Sequence, residues 1–344
     1  MNKLKSISTE LSHKVLLGVF LLIFLRIDLV FTNTLPTGGD MGAHIVPTNF
    51  FVDNLFKNFS LRGWSNDWFA GYPLYYFYFP FPPIIVSLIS FILPFSIAFK
   101  MMVILSQIVL VLSVERLFSL ESKKYSVIGT IAGMVYIFTE SFTIYGGNLA
   151  STLAGQYSFT FSLAFVLLGI YFLKSNNDKS LITSAMFMGF SILSHIIPFM
   201  IFIPYYAYHF LVSKRDISIK ISGFLVFLFI SLRFSYSLIV NLEYTTNMSY
   251  TPYTKISDLI KPDVLPFFIL LVIALITFGI KKFNQQFSLA LYLIIFSMSI
   301  FFYGPESALW NGRVVPFFNM GVLLLSFQII KELFSVFNKA LLNQ

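Results

Sequence analysis

Residues 157–173 read Tyr157-Ser158-Phe159-Thr160-Phe161-Ser162-Leu163-Ala164-Phe165-Val166-Leu167-Leu168-Gly169-Ile170-Tyr171-Phe172-Leu173, without one charged side chain. A membrane-crossing helix needs about 20 mostly apolar residues, with a range of roughly 17–25, and this run qualifies. Similar runs recur at 14–31, 96–118, 221–239, 265–280, 287–303 and 314–330. The whole chain agrees: of 344 residues 57% are hydrophobic and 11% charged, against about 45–50% and 25% in a soluble domain. With 43 Phe, a water-soluble globule has nowhere to hide its apolar surface, so lipid is the solvent. Charge-rich tracts and heptads are absent, which excludes disorder and coiled coil. Zero cysteines exclude disulfides, thiol nucleophiles and Cys-ligated metal. The net charge of +8 is read as topological, and nucleic acid is not an expected partner.

The expected fold is all-α: a polytopic integral membrane protein with about ten transmembrane helices, forming one transmembrane domain over 1–344. The stretch 180–212 is too long for one span and divides at Ser194-His195-Ile196-Ile197-Pro198. Segment 83–93, fenced by Pro82, Pro83 and Pro94, has re-entrant or juxtamembrane length. With that segment not crossing, fifteen Lys and Arg fall inside and five outside, which satisfies the positive-inside rule. Both termini are then cytoplasmic, in an expected prokaryotic plasma membrane. The apolar stretch 15–25 is followed by Arg26 and Asp28 without a small-x-small site, so it reads as an uncleaved anchor. Every glycine-bearing polar loop lands outside. The largest, 32–80, contains an amphipathic surface helix over 43–57.

Candidate chemistry gathers in those loops. Thr37-Gly38-Gly39-Asp40-Met41-Gly42-Ala43-His44 sets an acid and an imidazole four apart, one helical turn. They suit a general-base pair or two ligands of a divalent ion; Asp40 equally suits a helix cap. Asp67 lies between Trp64 and Trp68, an aromatic surface with a nearby acid that suits a sugar ring, or an interfacial belt. Glu140, Asn148 and Gln156 bound a loop of small hydrogen-bonding residues, suited to a polar ligand or to close helix packing. His195 marks an outer turn. Charges within spans are costly; Asp28 and Arg233 are read as an ion pair. Arg313, in Trp310-Asn311-Gly312-Arg313, is placed to meet a phosphate at headgroup level or to snorkel there.

Several of these motifs occur together in one family. Gly-Gly-Asp-x-Gly-x-His at 38–44, Gly-Trp-x-x-Asp-Trp-Phe-Ala-Gly-Tyr-Pro at 63–73 and Tyr-Phe-Pro-x-Pro at 78–82 come first. Tyr-Gly-Gly-Asn-Leu-Ala-Ser-Thr-Leu-Ala-Gly at 145–155, Ser-His at 194–195, Tyr-Thr-Thr-Asn-Met at 244–248 and Asn-Gly-Arg at 311–313 complete the order. Together they resemble the bacterial and archaeal membrane proteins labelled 6-pyruvoyl-tetrahydropterin synthase-related. The soluble synthase is a zinc enzyme with a His-rich site, and four histidines, two near the cytoplasmic face, do not suit pterin synthesis. The family in turn resembles the C-type glycosyltransferase superfamily, polytopic enzymes that take sugars from polyprenyl-phosphate donors. That resemblance implies Asp40 as base or metal ligand, His44 as its partner, Asp67 as a second acid and Arg313 as phosphate contact. The expected function is sugar transfer from a polyprenyl-phosphate donor at the external face. The alternatives are a transporter or flippase of a lipid-linked saccharide, and a non-catalytic envelope-assembly protein. Convergence of Asp40, His44, Asp67, Glu140 and Arg313 on one cavity favours transfer; a midplane pathway favours transport.

Overall fold

The computed structural model describes Val15, Gly18, Val19 and residues 22–175, 177–245, 250–278, 288–304 and 310–342. Positions 14, 16, 17, 20 and 21 of the first apolar run and 246–248 of the 244–248 motif lie outside the described residues. Counting helices of ten residues or more, the order is α1 Met41–Phe50, α2 Phe81–Ser90, α3 Phe95–Ser119, α4 Ser126–Ile137, α5 Tyr157–Lys174 and α6 Asp178–Ser194. Then follow α7 Ile196–Val212, α8 Ile217–Val240, α9 Leu265–Phe278, α10 Ser288–Tyr303 and α11 Val315–Leu342. A two-stranded antiparallel hairpin, β1 Gly63–Ser65 with β2 Tyr72–Leu74, is inserted between α1 and α2.

Among the described residues, four helical stretches are long and apolar enough to cross a membrane: Phe95–Ser119, Leu149–Lys174, Ile217–Val240 and Asn311–Leu333. Shorter apolar helices accompany them, including Ile196–Val212 and Ser288–Tyr303, in an all-α bundle. Local chemistry sets where these helices end, at the two places the sequence marks. His195 takes an extended backbone and caps α7, its Nδ1 accepting from Ile197 N at 3.2 Å. The long run thereby splits into two helices of 17 residues, each about 25 Å. The paired prolines open α2 in its first turn, where a missing N–H costs nothing. At ten residues, or about 15 Å, α2 cannot cross.

Two helices form the centre. α5 packs against α3, α6 and α7, and α11 against α9, α10 and α4. Phe159 and Phe317 join them, ring centres 5.4 Å apart. With lipid outside, close packing and interhelical hydrogen bonds hold such helices together. Ser162 Oγ donates to the His195 carbonyl at 2.7 Å, and Ser184 Oγ to the Gly169 carbonyl at 2.6 Å. Gly129 and Gly133, one turn apart on α4, let it lie against the α3 backbone. A Cβ at 129 would stand 2.8 Å from Glu115 Cα, and one at 133 would stand 3.0 Å from Val111 Cα. α8 is bound along one stripe and turns Phe224, Phe229 and Tyr236 outward.

Charges are sorted by end. Lys331, buried, pairs with Glu121 and lies over the Tyr125 ring, at the end away from the 32–80 loop. The expected Asp28–Arg233 pair does not form. Asp28 is bound to Arg26, two residues away, at 2.7 Å, because a local partner costs less chain entropy than a distant one.

Gly129→Leu should separate α3 from α4 and destabilise the purified protein by about 1–3 kcal/mol. Gly42→Ala, with nothing within 4 Å of the added carbon, should not. Thermal unfolding in one detergent checks both.

Candidate functional site

The first loop enters α1 through two left-handed glycines, Gly38 at φ 105° and Gly39 at φ 51°. A Cβ on Gly39 would lie 2.5 Å from the Ala154 carbonyl oxygen, so only glycine permits the approach. The approach is used: Asp40 N donates to that carbonyl at 2.8 Å. From the other side comes a π-turn, Thr152–Gln156, kinked at Gly155 with φ 107°. A Cβ there would stand 2.9 Å from Asp40 Cβ and 3.1 Å from His44 Cδ2. Two backbones therefore meet at the acid.

Asp40 occupies the N-cap position of α1, yet its side chain makes no capping bond. It faces solvent, and Gln156 Nε2 donates to its Oδ2 at 3.3 Å. The other end of that amide accepts from Arg313 Nη1 at 3.1 Å. Arg313 is 8% exposed and donates also to the carbonyls of Ile144, at 2.7 Å, and Tyr145, at 3.3 Å. Ile144 takes φ 63° to aim its carbonyl there, an uncommon strain for a β-branched residue. The next two glycines make room: a Cβ on Gly146 would strike the Phe159 ring and one on Gly147 the Tyr136 hydroxyl. Arg313 Nε is buried with no partner among the described residues. No carboxylate pairs with Arg313 among them.

His44 lies one turn beyond Asp40, buried, its Nε2 3.4 Å from Tyr78 Oη. Its ring centre is 5.3 Å from those of both Tyr78 and Tyr157. Burial pulls its pKa from 6.5 down to about 4, against the opposing pull of Asp40, so it is neutral at pH 7. Beyond it opens a cavity of about 200 Å³, with Trp68, Tyr72 and Tyr78 in its wall. His195 stacks on Phe79, ring centres 4.6 Å apart.

Asp40, His44, Gln156 and Arg313 are thus brought together, with His195 behind Phe79 and Trp68 across the cavity. Four other expected residues are not. Asp67 is exposed in the hairpin turn, and Trp64 is 62% exposed, its indole N–H bonded to Asn66 Oδ1 at 3.0 Å. The hairpin, absent from the sequence expectation, carries both. Glu140 is exposed; its backbone N–H, with that of Ser141, binds Asp263 Oδ2 at 2.7 and 2.6 Å. Partial burial opposes ionisation of Asp263, but those N–H groups hold its carboxyl below the usual range. Asn148 is fully buried. Its amide donates to the Thr139 and Phe142 carbonyls at 2.6 and 2.8 Å and accepts from Ser151 N at 2.9 Å. It secures the loop that holds Arg313, and both of its N–H donors are spent there.

Sequence reasoning missed Tyr78, whose signal was the Tyr-Phe-Pro-x-Pro motif, and Asp263, whose signal is too slight to find. Among the described residues no group of three or more His, Asp or Glu could hold a metal ion. A divalent ion at Asp40 and His44 would draw its remaining ligands from water and substrate.

The His44 shift has a sign. The unfolded chain takes up its proton near pH 6.5 and the folded protein near 4, so protonation favours unfolding. Thermal stability should fall as pH drops from about 6.5 toward 4, and His44→Gln should flatten that part of the profile.

No curated protein matches the chain. Residues 75–254 match the family described as 6-pyruvoyl-tetrahydropterin synthase related domain; membrane protein. That region carries α2 to α8 and most of the loops that enclose Arg313. The chain belongs to this family of membrane proteins.

Proposed function

We propose that this protein is a membrane transferase taking a sugar from a polyprenyl-phosphate donor at the external face. The reading is carried by Arg313. A guanidinium this buried, with an orphan Nε donor and no carboxylate partner among the described residues, is costly unless an anion completes it. A lipid-borne phosphate is such an anion, and guanidinium geometry matches it. Asp40, one amide away, accepts the proton of an acceptor hydroxyl as that oxygen bonds to the anomeric carbon. The bond from that carbon to the phosphate oxygen breaks, and the phosphate leaves with the electron pair toward Arg313. That cation contributes on the order of 3 kcal/mol to the transition state. His44, neutral and beside Tyr78, orients the hydroxyl.

The charge bias of the loops supports an external site and cytoplasmic termini in a prokaryotic plasma membrane, the shorter apolar helices completing about ten crossings. The bilayer supplies the donor's tail with its solvent.

Purified protein, incubated with radiolabelled polyprenyl-phosphate sugars and a crude acceptor extract, should transfer label; a parallel chelator arm reads any metal requirement. Asp40→Asn should abolish transfer at unchanged thermal stability, and Arg313→Met should slow it about a hundredfold. Full transfer by the purified Asp40→Asn variant would refute the base or ligand role. Label that crosses a sealed vesicle unmodified would favour a flippase.

A further inference from the structure

The cavity beside His44 adjoins the acid and the cation without including either. Chain neighbours divide the two compartments: Gln156 turns to Asp40 and Arg313, while Tyr157 lines the cavity. Along α1 the same division holds, with Asp40 at the entrance and His44, Pro47 and Thr48 on the cavity side. A molecule seated there would lie one helical turn from the base and apart from the phosphate.

The wall specifies what fits. No Lys, Arg, Asp or Glu lines it, so a charged ligand would be desolvated without compensation. The aromatic side chains of Trp68, Tyr72 and Tyr78 line it, and Thr48 sits beside the hydroxyls of Tyr75 and Tyr157. An isoprenoid or acyl chain would leave these polar tips facing hydrocarbon. A compact ring with CH faces for the aromatics and hydroxyls at its rim satisfies both surfaces. The volume of about 200 Å³ equals about seven waters at roughly 30 Å³ each, room for one such ring and not for two.

We infer that this cavity is the acceptor site of the proposed transferase, and that the acceptor presents there a single, uncharged sugar ring. The assignment rests on the transferase reading for the word acceptor, but the ring site itself is testable without turnover.

The protein in nanodiscs is titrated with uncharged methyl glycosides, a methyl uronide, a methyl amino sugar and farnesol, by tryptophan fluorescence and saturation-transfer NMR. Uncharged glycosides should give a saturable response that disappears in Trp68→Phe, although Trp64 and Trp310 remain. The two charged sugars should bind about tenfold or more weaker. Ala43→Phe, which fills the cavity from its exposed edge, should weaken glycoside binding by about tenfold while leaving thermal stability unchanged. Equal or tighter binding of the charged sugars, a response to farnesol alone, or no response to any glycoside would overturn the assignment. Glycoside binding without transfer would refute the transferase reading alone; transfer without glycoside binding would refute only this site.

Discussion

The constraint on which the site depends is a buried positive charge with no negative one against it. Arg313 is held by two carbonyls and one amide oxygen, which offer partial charges where a carboxylate would offer a whole one. The surrounding chain is shaped to make even that possible: Ile144 is strained, Gly146 and Gly147 admit a ring and a hydroxyl, and Asn148 secures the turn. The turn before α11 brings the cation, the loop before α5 brings its cage, and the start of α1 brings the acid. These three pieces are distant in sequence and share one polar contact line.

Gln156 is the joint of that line. A cation on its oxygen and a carboxylate on its nitrogen fix which way the amide points. Neither neighbour touches the other directly, so Asp40 stays open to solvent. A direct salt bridge would have tied up both groups. The amide spacer leaves one carboxylate oxygen and the Nε and Nη2 of the guanidinium for something else to use.

Much of this was legible in the sequence and some was not. The membrane class followed from charge-free runs such as 157–173, and the break at His195 from a Ser-His before a proline. Asp40, His44 and Arg313 stood out because rare polar residues beside glycines in an apolar chain have few ordinary uses. The bridging role of Gln156 was hidden, since it depends on two glycines, Gly39 and Gly155, that matter only when their loops meet across more than a hundred residues. Asn148 had the right chemistry for a ligand contact and was consumed by its own turn. Composition measures apolar length, whereas capping and kinking decide how much of that length is one helix.

The meeting of Asp40 N with the Ala154 carbonyl is a main-chain contact, enabled by missing side chains on either flank. Position 40 is consequently located by the scaffold and not by the residue it carries. A relative with a different side chain there would inherit the same address, so this architecture can exchange its reactive group, or give it up, while keeping the fold that presents it.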